Sequence, residues 1–385
     1  MSGTNNNPDP RPGGILFSGQ TEQDIALARQ GFGAQLAGLN LDQHVEASVG
    51  LEAGTRCLRF RLREEPARQW APGQDTTGLC QALDLDPQAR RADLEREILL
   101  AMLLGPVAFQ FPSHAELASA VRMRCNIVEA ARKTTLTFHT QAAERPEDCW
   151  AYHEDRGFTV LPGRPLITAL QKATQPGASG RLYSFSCYRA TEYVILLGIA
   201  QELQHCNPEL ARQLQRQWET RAIMSGRFHD VFLREYGSMN EPLPPRYYVP
   251  GDRLWFRNPD AHSSDVAGYE GSWVFYLGAG RFTNFWKRGQ SYTLTAKCLD
   301  LFHWRHAIYR DAAGELQIDE SIVEQRVQAS LQDPVEVERI LAAMLRYREP
   351  KGVYADGGCI DTTREYPRWV CPGTADMVLP GPLAS

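Results

Sequence analysis

The 385-residue chain lacks the features that mark membrane, secreted or nucleic-acid-binding proteins. No apolar run reaches about 18 residues, so no membrane-spanning helix is expected. The opening MSGTNNNPDPRPGG holds no apolar stretch, so a secretory signal is not expected and a cytoplasmic setting is, with specialised export left open. Acidic and basic residues nearly cancel, 46 against 41, and a formal charge of −5 gives no global attraction for nucleic acid or an anionic membrane. The nine cysteines are scattered, with no CxxC pair and no Cys/His cluster. A disulfide framework and a zinc site are therefore not indicated, and reduced thiols fit a cytoplasm. No metal or organic cofactor is implied. Internal repeats and low-complexity blocks are also missing.

What is there reads as one large domain with extensions, or two, since domains run to roughly 100–200 residues. Residues 1–13 are polar and read as a disordered lead-in. Residues 14–90 form an extension of mixed character, in which Cys57–Leu62 alternates like a strand and 71–78 is loop-like. The core is expected over 91–348. Asp93–Leu104 is an apolar helix pattern stopped by Gly105-Pro106. Ser113-His-Ala-Glu116 has the form of a capping box and opens a helix to about Lys133, with Leu117, Val121 and Val128 on one face. Cys187 opens a long apolar helix to Leu203, and a polar helix follows from Pro208 to Ala222. Arg253–Arg257, Trp273–Leu277 and Arg281–Phe285 read as short antiparallel strands. A further helix starts at Asp333-Pro334 and reaches about Arg348. Residues 349–385 read as an irregular tail. Helices followed by a sheet give the α+β class.

One cysteine stands apart by context. Cys187 follows the strand-like Tyr183–Phe185 and begins a buried helix. Free N–H groups and the helix dipole there favour an anion, and the thiolate is the nucleophilic form. Strand, cysteine and buried helix is the arrangement of papain-like cysteine enzymes, in which a sheet supplies the base. The plain alternative is a small buried hydrophobe.

Four segments in order carry a family resemblance over about residues 95–305. They are Pro106–Phe109 with Ser113–Leu117 and Arg124–Ala131, then Tyr183–Cys187, then Gly251–Pro259, then Gly271–Gly278. Together they resemble the bacterial, spore-coat type of protein-glutamine gamma-glutamyltransferase. The resemblance implies a papain-like core with the nucleophile at Cys187. It implies cysteine-dependent acyl transfer from a glutamine side chain through a thioester, with a lysine amine or water as acceptor. Three positions depart from the family. Its Glu before the nucleophile is Ser186, its main catalytic Glu falls on Ser272, and its His falls on Phe285 or nearby.

The candidates for the missing partners are Glu270, His303 and His306. Glu270 lies two residues before Ser272, and positions i and i−2 of a strand share a face. Its bland reading is an exposed acid in the preceding loop. His303 and His306 are three apart and share a face if helical, or are partly buried among aromatics. Asp252, Asn258 and Asp260 read as turn chemistry. His205 is about 27 Å along the helix from Cys187 at 1.5 Å per residue, and Glu192 lies about 140° round it; neither is a partner. Two other functions stay open. One is a degenerate member whose cleft binds a partner without catalysis; the other is a thiol amidase or peptidase on the same scaffold.

Overall fold

The computed structural model describes residues 13–19, 21–52, 54–138, 143–223, 226–349 and 357–380. Apart from Gly13, the expected lead-in lies outside the described residues. Gly13 itself is buried, and its carbonyl accepts from the Arg59 guanidinium at 2.7 Å.

The extension builds a four-stranded sheet in the order Val45–Glu52, Thr55–Leu62, Gly14–Ser18, Ala108–Phe111. Gly14–Ser18 runs antiparallel to Thr55–Leu62 and parallel to Ala108–Phe111, so residues from outside and inside the expected core share one sheet. The helix Glu22–Gly38 covers it, with Phe32 edge-on to Phe60 at 4.8 Å and to Phe17 at 5.7 Å. Thr21 and Asp24 cap that helix reciprocally, a start signal masked by Asp standing where Glu or Gln is usual.

Two long helices form the centre. His114–Lys133 packs along Cys187–Cys206, the cysteine helix. They meet closely at Gly198, where a Cβ would stand 2.6 Å from Ile127 Cγ1. The Ser113 hydroxyl caps the first helix by accepting from the Glu116 N–H at 3.2 Å. Only half of the expected box forms. The buried Glu116 carboxylate accepts instead from the Cys371 N–H at 2.8 Å, the Val370 N–H at 3.3 Å and the Thr374 hydroxyl at 2.6 Å. A capping residue has become the anchor of the C-terminal segment.

The second sheet has six antiparallel strands in the order Tyr292–Thr293, Arg281–Phe282, Gly271–Gly278, Arg253–Arg257, Arg364–Pro367, Leu233–Tyr236. Its position explains the alternation along Gly271–Gly278. Phe275 and Leu277 enter the core shared with the two long helices, while Val274 and Tyr276 enter a second core. That second core is closed by the helices Leu294–His303, Glu320–Leu331 and Pro334–Met344. The α+β reading holds as a mixed helix and sheet structure, and the cysteine helix packs on the Gly271–Gly278 strand.

Several boundaries differ from expectation by a few residues. The Arg281 strand ends at Phe282, and the last helix ends at Met344. The tail is not wholly irregular: Arg364–Pro367 is a strand between two others. Four residues are too few for a period to show in sequence.

A buried ion pair joins these layers. Arg124 donates to Asp252 at 2.8 Å, and both side chains are sealed from solvent. Asp252 also accepts from the Val249 N–H at 2.7 Å and from the Tyr236 hydroxyl. Gly251 has φ +87°, and a Cβ there would sit 3.0 Å from Arg124 Cα, so glycine is required by conformation and by space. The expectation of simple turn chemistry at Asp252 is thus too small.

Replacing Asp252 with Asn leaves a guanidinium buried without its counter-charge, and the expected loss is about 3–5 kcal/mol of unfolding free energy. Urea denaturation measures it; a loss within the roughly 0–1 kcal/mol of an exposed ion pair would show that the pair is not what joins the layers.

Candidate active site

Cys187 is the first residue of its helix, as its sequence context implies. Thr137–Phe138 and Ser184–Phe185 pair as parallel strands and deliver the chain to that point. Ser186 is the N-cap: its hydroxyl accepts from the Arg189 N–H at 3.3 Å. Ser186 therefore has a local purpose, since serine is among the best N-caps.

The sulfur lies in the wall of a cavity of about 160 Å3. The cavity lies beside a gap in the sheet. Arg281–Phe282 pairs with the Tyr276–Gly278 end of its neighbour, so among the described residues Gly271–Trp273 has no strand on that side. Through this gap a thiol from one helical layer meets side chains from the other. The cavity is also lined by Gly271 and Ser272, by the aromatic Phe138 and Trp286, and by Lys297, Asp300 and Glu320. Phe138 and Trp286 meet edge-on at 5.1 Å.

Burial pushes the Cys187 thiol above its ordinary value, against the acidifying effect expected of a helix start. The N–H groups of Trp273 and Tyr188 point at the sulfur and work the other way, as does the charge of Lys297. The field of Glu270 adds to the rise. Helix terminus and lysine moderate the desolvation without overcoming it.

The expected partners are placed as follows. Glu270 is exposed just before the Gly271 strand and accepts from the Gly268 N–H at 3.3 Å; it is near enough to act on the thiol but is not in the cavity wall. Ser272 is in the wall. Phe285, the approximate position expected for the family's His, is buried beside Phe275, with ring centroids 6.4 Å apart. His303 and His306 are not in the wall either. His303 ends its helix and His306 lies in the following turn. Their Nδ1 atoms are 3.1 Å apart, and His303 Nε2 is 2.8 Å from the Ser330 hydroxyl. The pair ties two helices together on the side of the second core.

Sequence reasoning missed Lys297, Asp300 and Glu320. Lys297 is 3% exposed and donates to Asp300 at 2.9 Å. Its ammonium lies 4.7 Å from the Tyr292 ring centre. Glu320 accepts from the Tyr269 hydroxyl at 2.7 Å; burial and then the charge of Asp300 push its carboxyl up. The available signal was a lysine three residues before an aspartate inside the apolar run Leu294–Phe302. Among the described residues no cluster of metal-ligating side chains is present, and no helix is long and apolar enough to cross a membrane.

Fold and site define a mixed helix and sheet protein with a half-buried thiol at a helix start, set in a cavity beside carboxylates and a lysine. The family model described as protein-glutamine gamma-glutamyltransferase matches residues 76–376, most of the chain. The chain belongs to that family. The match exceeds the 95–305 read from motifs, and it takes in the tail strand and the anchor of Glu116. A protein-glutamine gamma-glutamyltransferase of Halalkalibacterium halodurans is 26% identical over 202 residues, covering 49% of this chain and 62% of the relative. The chain thus spans less than two thirds of that relative's length. A transglutaminase structure from Geobacillus stearothermophilus, without its C-terminal extension, shares 18% identity at a TM-score of 0.37, over 56% of this chain and 98% of that one. A likeness of that size does not bear on the fold.

The buried histidine gives a pH prediction. Burial, then His306 and Arg326, lower His303 to about 4. Its folded value is below its unfolded one, so its contribution is full above about pH 6.5 and is lost as pH falls through about 4. Thermal melts from neutral to acid should show a decline that His303→Gln shrinks by about 1–2 kcal/mol. An unchanged acid profile in the variant would remove this assignment.

Proposed function

We propose that this protein transfers the γ-glutamyl group of protein or peptide glutamines, with Cys187 as nucleophile. Family membership supports the reaction class. The observation that carries the residue is the Cys187 sulfur, set at a helix start in a cavity with the Tyr188 and Trp273 N–H groups aimed at it. The thiolate attacks the carboxamide carbon, the C–N bond breaks, ammonia leaves and a thioester remains. A primary amine such as a lysine side chain attacks the thioester, the C–S bond breaks, and an isopeptide bond forms. With water as acceptor the product is glutamate. The Cys187 amide N–H is a candidate donor to the oxyanion.

Glu270 is proposed as the acceptor that takes a proton from the incoming ammonium. Its carboxylate is exposed at the approach to the cavity, where an amine arrives from solvent. Its charge raises the thiol, so it is suited to the acceptor amine rather than to making the thiolate. The papain-like character of the core belongs to the same proposal, supported by the strand, cysteine and buried helix in series. Neither a metal nor an organic cofactor enters these steps.

Cys187→Ala is expected to abolish ammonia release and amine incorporation on glutamine peptides, because no second thiol shares the cavity wall. Glu270→Gln is expected to slow amine incorporation by about 10²–10⁴ while leaving the thioester trappable by mass spectrometry. Wild-type protein that neither releases ammonia nor forms a Cys187 adduct would favour a member that binds without catalysis. A silent Glu270→Gln would move the proton acceptor elsewhere.

A further inference from the structure

Among the described residues no histidine stands in the cavity wall, yet a desolvated thiol still needs a positive partner to react as thiolate. Two lysines stand in the cavity wall. Lys287 pairs with exposed Glu324, while Lys297 is sealed inside. Lys297 is held at 2.9 Å from Asp300, with the Tyr292 and Trp304 ring centres at 4.7 and 5.5 Å. Burying an ammonium is costly, and a well-packed apolar side chain of similar volume would serve the core as well or better. The cost has a use here because the same cavity holds Cys187. Its charge also acts on the sulfur in the direction that favours the thiolate.

Resting on the acyl-transfer reading of Cys187, we propose that Lys297, anchored by Asp300, is the counter-charge of the thiolate and the proton carrier of the transfer. For reaction the thiol gives up its proton to solvent, and the charge of Lys297 holds the thiolate that forms. The thiolate attacks the carboxamide carbon, and the carbonyl electron pair moves to oxygen. On collapse the C–N bond breaks and Lys297 gives its proton to the departing nitrogen, which leaves as ammonia. Lys297 is then a neutral amine beside a thioester. The acceptor amine, already in its free-base form, attacks. As the new C–N bond forms, its proton passes to Lys297 and the C–S electron pair returns to sulfur. Thiolate and ammonium are restored. Asp300 keeps the lysine in place and stabilises its charged form.

The other charged groups around this pair are Glu320 and Glu324 from the Glu320–Leu331 helix, Lys287 from the preceding loop, and Glu270 before the Gly271 strand. Tyr269 and Tyr292 are pushed far up by burial and stay neutral.

The test is the pH profile of iodoacetamide alkylation at Cys187 in the full chain, read on the Cys187 peptide by mass spectrometry, beside ammonia release from a glutamine peptide. Lys297→Met is expected to move the alkylation inflection upward by about one unit or more, a roughly tenfold slower reaction at neutral pH. Lys297→Arg keeps the charge but does not give up its proton. It should hold the inflection near the wild-type position while ammonia release falls by about 10²–10⁴. Lys297→Met with Asp300→Asn removes both charges and leaves no orphaned carboxylate; it should show the same upward move in a folded protein. Alkylation profiles of the single and double variants that overlay the wild type overturn the counter-charge. Wild-type ammonia release from Lys297→Arg overturns the proton carrier. If no form releases ammonia from glutamine, the acyl-transfer reading fails, and the alkylation profiles still decide whether Lys297 charges the thiol.

Discussion

The Arg124–Asp252 ion pair is the constraint around which the layers are arranged. It lies where the His114–Lys133 helix, the loop before Arg253–Arg257, and the strands Leu233–Tyr236 and Arg364–Pro367 converge. Asp252 receives the guanidinium, a backbone N–H and the Tyr236 hydroxyl, so its carboxylate is compensated in several directions. The guanidinium in turn stands 5.2 Å from the ring centre of Tyr366. A pair sealed in this way specifies one relative placement of helix and sheet, because any other leaves a bare charge in the interior. Cys187 depends on that placement, since its helix is held by the His114–Lys133 helix on one side and by the sheet on the other.

The site is a second compromise between burial and charge. A helix start supplies N–H groups, but the same packing that orients the thiol also removes its water. Desolvation opposes the thiolate, and a buried cation is the available answer in a cavity that holds no imidazole. The gap beside Gly271–Trp273 allows that answer to come from the opposite helical layer. A complete ladder along that strand would have separated Cys187 from Lys297 by the thickness of the sheet.

Much of the local structure was legible in the chain. Ser113 and Asp333 announced helix starts, Gly105-Pro106 a stop, and the short aromatic run Trp273–Leu277 a strand. Cys187 could be singled out by strand, break and apolar run. Glu270 and the His303/His306 pair show the limit of spacing. Parity and a three-residue interval state which side chains share a face, but not what faces them. The two histidines meet each other and His303 meets Ser330, while Glu270 stops outside the cavity wall.

What the sequence by itself determined is the position of the thiol along the chain and the secondary structure that presents it. These rest on interactions within a few residues: caps, breaks and periodic apolar faces. Only the tertiary structure decided which groups surround that thiol. Lys297 and Asp300 are more than 100 residues from Cys187, the tail strand follows it by a still longer separation, and Glu116 changed from cap to anchor through a contact with Cys371. Contacts at such separations leave no local pattern, because they are set by how whole layers pack. The chemistry of a buried site is decided there, since burial and neighbouring charge together set its protons.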